Sequence, residues 1–281
     1  MSKSPLLPEI ETLDALRDHQ RIVFLSTRVD FPWDTTRALE FALFRTFAIP
    51  SISALLHKTK EFEERAQKRY DDTDIIVSHI MEHGYDSALG KAAIGRMNAL
   101  HGRFKISNED FLYVLSTFVF EPIRWNERFG WRRMTDKERL ALFHFWREVG
   151  HRMGIRDIPT DYHAFEDFNR DTEQKRYRFV ESNQHVGAAT RALFMSWFPR
   201  WMGPIVKRSI HGFMDESLIT AFGFPKPSKL MRQTVALSLK MRGNFLRWIW
   251  LRRREPFWRT NLVHRSYPQG YTIDTLGPPS A

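Results

Sequence analysis

The sequence contains no cysteine. That excludes disulfides, thiolate zinc sites, iron–sulfur clusters and cysteine nucleophiles. Long apolar runs are scarce. The most apolar window, Ala38 to Leu56, is interrupted by Glu40, Arg45 and Pro50, which predicts a buried helix pair broken at Pro50 rather than a simple spanning helix. The first ten residues carry Glu9 and two prolines and no apolar stretch, so they do not read as a secretory signal. Alternating strand patterns are nearly absent. Repeats, low-complexity segments and an evident domain linker are lacking too.

What is present is an ordinary globular balance, 42% apolar and 27% charged residues, in the range of soluble domains. The 23 Phe, 9 Trp and 7 Tyr must be buried somewhere, so disorder is not the main state. The 43 basic residues outnumber the 33 acidic ones, a net charge of +10. That balance favours an anionic partner such as a membrane surface, a nucleic acid or an acidic ligand.

Helix signals recur along the chain. Thr35 or Thr36 opens a helix to Phe47. Pro50 restarts one whose pattern runs to about Tyr70, and Asp71 to His83 continues it or begins another, ended by Gly84. Asp86 or Ser87 caps a helix to about Gly102. Ser107, with Asp110 nearby, opens one that ends before Pro122. Thr135 and Glu138 form a capping box for a helix to Gly154. Thr160, Asn183 and Lys229 mark later helices, the last reaching about Arg254. The expectation is one all-α helical domain over 33–265, an N-terminal extension over 1–32, and a Pro/Gly-rich tail over 266–281.

Polar residues on apolar helix faces carry the functional signal, because burying them is costly without partners. Phe62, Ala66, Arg69, Thr73, Ile76 and Ile80 share a face, with Arg69 and Thr73 one turn apart in its middle. A buried Arg needs an anion or several acceptors, and an internal Arg–carboxylate pair would serve equally well. Ile94, Met97, His101 and Phe104 share another face, beside a stripe of small residues: Ala88, Ala92, Gly95, Ala99 and Gly102. Such a stripe admits a second helix or a planar cofactor. The imidazole is either a metal ligand or a core histidine bonded to a carbonyl. Leu140, His144, Arg147, His151 and Gly154 share a third face. His144 and His151 stand about 10.5 Å apart along the axis, too far to ligate one metal, so they read as pocket-wall or satisfied core histidines. His79, Glu82 and His83 match H-x-x-E-H, a zinc-peptidase pattern that here lacks a distinctive third ligand and abuts Gly84.

Lys240 to Arg265 holds eight Lys/Arg against Glu255 alone, interleaved with Phe245, Trp248, Trp250, Phe257 and Trp258. The pattern suits a helix lying on an anionic membrane surface. No nucleic-acid motif accompanies it, so nucleic acid is not the expected partner. A solvated basic face with core aromatics has the same composition.

Several segments carry a resemblance. Arg69-Tyr-Asp-Asp-Thr73, Arg96-Met-Asn-Ala-Leu-His101-Gly, Phe145-Trp-Arg-Glu-Val-Gly-His-Arg-Met-Gly154, Tyr267-Pro-Gln-Gly-Tyr271 and Leu276-Gly-Pro278 resemble the MpaB / latex-clearing-protein oxygenase family. Ser107-Asn-Glu-Asp, Glu121-Pro-Ile-Arg-Trp125 and Phe129-Gly-Trp-Arg132 are similar to its fungal MpaB-type branch. The resemblance runs from about Trp33 to the C-terminus. It implies a helical fold enclosing a b-type haem, with His101 as the axial iron ligand and dioxygen as co-substrate. It also implies Arg69 and Thr73 on the oxygen side, with His144 and His151 near the haem. The implied reaction is cleavage of a C=C bond in a lipophilic prenyl or isoprenoid chain. The rubber oxygenases carry a lysine just before that threonine, where this sequence has Asp72. The implied location is intracellular, cytoplasmic or peripherally membrane-associated, at the endoplasmic reticulum in the fungal case. A non-enzymatic basic helical protein binding a membrane surface or nucleic acid is the competing reading, and a zinc peptidase at His79, Glu82 and His83 a third.

Overall fold

The computed structural model describes residues 4–250 and 255–278. Arg252 to Arg254, in the basic stretch, lie outside them. Among the described residues the regular structure is helical, apart from one isolated bridge between His264 and Tyr267. The order is α1 (Leu7–Thr12), α2 (His19–Phe24), a π-helical turn (Leu25–Asp30), α3 (Pro32–Thr46), α4 (Pro50–Thr59), α5 (Glu61–Glu64), α6 (Ala66–His83), α7 (Ala88–His101) and α8 (Asn108–Phe129). Then follow α9 (Asp136–Arg152), α10 (Tyr162–Arg176), α11 (Glu181–Ser196), α12 (Gly203–Phe213), α13 (Glu216–Phe222) and α14 (Lys229–Trp250). Helix α8 packs along α3, α9 and α10, while α6 pairs with α7.

Local chemistry sets many of these boundaries. Ser87 and Ser107 accept hydrogen bonds from the amides of Gly90 and Asp110, and Thr135 with Glu138 makes both halves of a capping box. Side-chain oxygens thereby satisfy first-turn amides that have no helical partner. Gly84 ends α6 at φ 79, a conformation that glycine adopts without penalty. Gly90 is forced by proximity: a Cβ there would stand 1.9 Å from the Gly84 carbonyl oxygen.

The apolar window folds as a helix pair, α3 and α4, bent by 97°, but only α3 is buried as expected; in α4 Ser53 alone is buried. Three further expectations need correction. The helix from Pro50 does not run to Tyr70; Lys60 turns left-handed at φ 55 and separates α4 from α5. Helix α8 does not stop before Pro122 but continues to Phe129. Proline removes one ladder bond, yet every residue from Leu115 to Ile123 is buried, and packing on both sides of Pro122 keeps the axis helical. The stripe Ala88, Ala92, Gly95, Ala99 and Gly102 is exposed, because α7 buries its opposite face, Gly90, Ala93 and Ile94.

The N-terminal segment belongs to the core. Ile10, Ile22, Val23, Leu25, Val29 and Phe31 are buried in the main cluster with Ile75, Ile80, Val119, Leu142 and Phe145. Arg132 bridges Asp30 and Glu138, and Ser26 donates to Glu138, which ties the π-helical turn to α9. The Pro/Gly-rich tail is a strap across α6 and α7. Ser266 N donates to Asp71, Tyr267 Oη to Asp72, Arg96 to the Leu276 carbonyl and Lys68 to the Gly277 carbonyl, while Leu276 is fully buried.

Candidate active-site cavity

A cavity of about 780 Å³ of atom-free space, its mouth included, lies among α3, α6, α8 and α11. Leu39, Leu43, Phe47, Phe62, Val77, Phe118, Leu193 and Phe194 give it an apolar wall. Arg28, Glu40, Arg69, Tyr70, Thr73, Asp74 and Arg259 supply its polar groups.

Most of these polar groups are already paired. Glu40 accepts from Tyr70 Oη at 2.5 Å and Arg37 at 2.6 Å. Burial pushes its carboxyl above the ordinary range. Asp74 is bridged by Arg259 at 2.6 Å, and the fully buried Arg28 faces Glu82 at 3.4 Å. Arg69 differs. Its guanidinium donates to the Thr73 hydroxyl and lies 5.7 Å from the Phe62 ring centre, and among the described residues it forms no ion pair. The internal Arg–carboxylate pair that periodicity also allowed is therefore not its partner. Thr73 Oγ1 in turn donates to the Arg69 carbonyl at 3.0 Å, so hydroxyl and guanidinium hold each other in place.

His101 is the last residue of α7 and half-buried. It does not line the cavity wall. Its ring meets Phe111 edge-on at 5.3 Å, its Nδ1 is buried without a hydrogen-bond partner, and no carbonyl satisfies it among the described residues. Burial, with the nearby charge of Arg69, pushes its pKa down to about 4. At neutral pH it is an uncharged imidazole, the form that binds a metal.

The other candidates are not brought here. His151 is exposed on α9. His144 is half-buried beside His19, ring centres 6.3 Å apart. Leu140 and Gly154 are exposed as well, so the face that periodicity singled out is the outward face of α9, whose buried side carries Ala141, Leu142, Phe145 and Val149. His79 bonds Tyr271 Oη at 3.0 Å. Glu82 accepts from Thr260 Oγ1 at 2.6 Å and from the amides of Arg259 and Thr260. That carboxylate is occupied, and among the described residues no cluster of three metal-capable side chains forms. Asp72 turns away from the cavity to Lys68 and Tyr267.

Arg28, Glu40, Tyr70, Asp74 and Arg259 were not foreseen at this site. Tyr70 and Asp74 each directly follow a member of the Arg69–Thr73 pair, a signal that a wider reading of that helix carries. Arg28 and Arg259 reach the cavity only through tertiary packing.

Fold and cavity together define an all-helical protein with an apolar-walled cavity, in which a cation and a hydroxyl are held one helical turn apart. The chain belongs to the family described as ER-bound oxygenase mpaB/B'/Rubber oxygenase, catalytic domain, which it matches over residues 38–248. It is 29% identical over 248 residues to the ER-bound oxygenase mpaB' of Penicillium brevicompactum, covering 81% of this chain and 59% of that protein. It is 32% identical over 177 residues to the ER-bound oxygenase mpaB of the same organism, covering 59% of this chain and 45% of that protein. The mpaB protein of Penicillium roqueforti (strain FM164) is likewise 32% identical over 177 residues, 59% of either chain. This chain thus spans about half to three fifths of the length of these relatives. Among its described residues no single helix is long and apolar enough to cross a membrane; the bent α3–α4 pair passes by length and composition together.

Proposed function

We propose that this protein is a haem b-dependent oxygenase that uses dioxygen to cleave a C=C bond in a lipophilic, prenyl- or isoprenoid-type substrate. The observation that carries the reading is the Arg69–Thr73 pair, a half-buried cation that forms no ion pair among the described residues, lining an apolar cavity from the helix that pairs with the one carrying neutral His101. Membership of an oxygenase family supports it.

The residues fit a haem on one concrete count: the His101 ring is neutral, half-buried and committed to no hydrogen bond among the described residues. His101 would hold the iron. Bound haem supplies the activation of dioxygen, chemistry that no side chain provides. The protein's own contribution is orientation and electrostatics. Leu39, Leu43, Phe47, Phe62 and Phe194 bind the alkene chain and keep water away. Arg69 presents a fixed positive charge and N–H donors where negative charge develops on oxygen, and a dry surrounding strengthens that interaction. Thr73 accepts from the guanidinium and gives its own proton to the Arg69 carbonyl, so its part is to fix the direction of that charge. Cleavage of one C=C bond by one dioxygen to two carbonyl groups balances without an outside reductant.

An absorption spectrum and metal analysis of the protein expressed with a haem supply test the reading. The expected result is a Soret band and about one iron per chain. A colourless protein that also fails to take up added haemin would overturn it. Arg69→Leu is expected to keep the haem and lose roughly 100-fold in oxygenation rate, the scale of removing a charge-stabilising donor. The same variant raises the His101 pKa, read in the haem-free protein by NMR titration, because the neighbouring positive charge is gone. Unchanged turnover in Arg69→Leu would remove Arg69 from the chemistry.

A further inference from the structure

We propose that the outer face of α14 docks the protein on an anionic lipid bilayer. Along this helix Leu230, Leu237, Met241, Phe245 and Trp248 recur at helical spacing and are 72%, 59%, 62%, 65% and 82% exposed. The inner face accounts for the helix's packing. Val235 is buried, Ala236 and Leu239 pack on the Trp125–Phe129 cluster, and Gly243 lies against the backbone of Phe129 and Gly130. The outer row therefore has no role in holding the fold. Helix α12, which rests on α14 where Gly212 meets Val235, adds exposed Ile205 and follows exposed Trp201.

Charge decides what covers this face. Neither α12 nor α14 contains a carboxylate, while α12 has Lys207 and Arg208 and α14 has Lys229, Arg232, Lys240, Arg242 and Arg247. Arg242 is spent on Asp34 and Arg232 on the Met214 carbonyl, but Lys207, Arg208, Lys229 and Lys240 are exposed. A second copy of the chain would bring cations against cations with no acid between them. A nucleic acid would engage the lysines and leave Leu237 and Met241 in water. An anionic bilayer satisfies both sets: apolar side chains and Trp248 enter the acyl–headgroup boundary, and the lysines meet lipid phosphates. The basic stretch from Lys240 to Arg265 was expected to act as one membrane surface. Two residues of its described second half face inward instead: Trp258 packs between Phe24 and His83, and Arg259 bridges Asp74 in the cavity wall.

Vesicle cosedimentation of the full chain tests the assignment, with phosphatidylcholine alone against phosphatidylcholine and phosphatidylserine at roughly 7:3. Binding is expected on the anionic vesicles and to weaken with salt. The pair Phe245→Ser and Trp248→Ser lowers the partition coefficient by about tenfold or more. Lys229→Gln and Lys240→Gln each lower it by roughly fivefold. All four positions are exposed, so unchanged thermal melting and circular dichroism are expected and separate lost docking from lost folding. Wild type and the Phe245→Ser/Trp248→Ser protein sedimenting alike would overturn the proposal. So would absence of vesicle binding, whether with duplex-DNA binding that these lysines govern or with a concentration-dependent dimer that the double variant abolishes.

Discussion

His101→Ala is expected to yield a folded protein that retains no haem. The ring sits at the end of α7 against Phe111 and forms no hydrogen bond among the described residues, so its removal orphans no partner and leaves the helix intact. What disappears is the one neutral, uncommitted imidazole beside Arg69. Soret absorbance and iron content should fall to background, while the urea midpoint of the haem-free protein at pH 7 stays near wild type. His144→Ala and His151→Ala are the comparators. They stand on the outward side of α9 and should keep their haem. Full haem retention in His101→Ala would place the ligand elsewhere. Acid gives a second reading of the same residue. The unfolded histidine takes up a proton near pH 6.5, but the folded one resists until about 4. Its contribution to stability is therefore complete above pH 6.5 and is lost as pH falls toward 4. The scale is about 3 kcal/mol. Haem-free His101→Ala should show a correspondingly shallower acid loss than haem-free wild type.

The residues that resemblance singles out prove to serve two ends, and sequence alone does not sort them. Arg69 and Thr73 face the cavity. Arg96, Trp131 and Arg132 are structural: Arg96 clasps the tail, Trp131 donates to the Asp30 carbonyl at 2.8 Å, and Arg132 joins the N-terminal segment to α9. Helices with hydroxyl caps, α7, α8 and α9, were legible because a cap is a local interaction. The run of α8 through Pro122 was not, because its continuity comes from packing by other helices. Periodicity located Arg69 and Thr73 but also singled out His144 and His151. A face carrying Leu, His and Arg looks the same in sequence whether it points inward or outward. Arg28 and Arg259 show the limit most clearly: one lies on a π-helical turn and the other in a basic stretch, and only the folded chain sets both beside Asp74 and Glu82.

Arg45→Met is expected to cost about 3–5 kcal/mol of folding stability, the scale of breaking a buried ion network by removing one partner. In sequence Arg45 merely interrupts an apolar window. In the fold its guanidinium is buried and engages Glu173 at 2.5 Å, Asp215 at 2.6 Å and Glu121 at 3.4 Å. Tyr113 and Tyr177 close the network, with Tyr113 Oη donating to Glu173 at 3.1 Å and Tyr177 Oη donating to the Arg45 carbonyl at 3.1 Å. One cation thereby joins α3, α8 and α10 to the N-cap of α13. Methionine fills the space but leaves Glu173 with no cation against it among the described residues, while Glu121 keeps only Arg124 at 3.1 Å. The loss should be partly rescued by adding Glu173→Gln, since the penalty is the unpaired carboxylate rather than a missing volume. Arg45→Lys should rescue less, because an ammonium cannot form the two parallel bonds to Glu173. Acidity narrows the gap. Burial pushes Asp215 up, but Arg45 together with hydrogen bonds from Ser217 and the Leu218 amide outweighs it and holds the carboxyl down at about 2, below its ordinary 3.8. That stabilisation is complete above pH 3.8 and lost as pH falls through 2. Chemical denaturation of wild type and variant should therefore differ most at neutral pH and converge in acid. Equal stability at pH 7 would mean that the apolar contacts around α3 hold the bundle without the network.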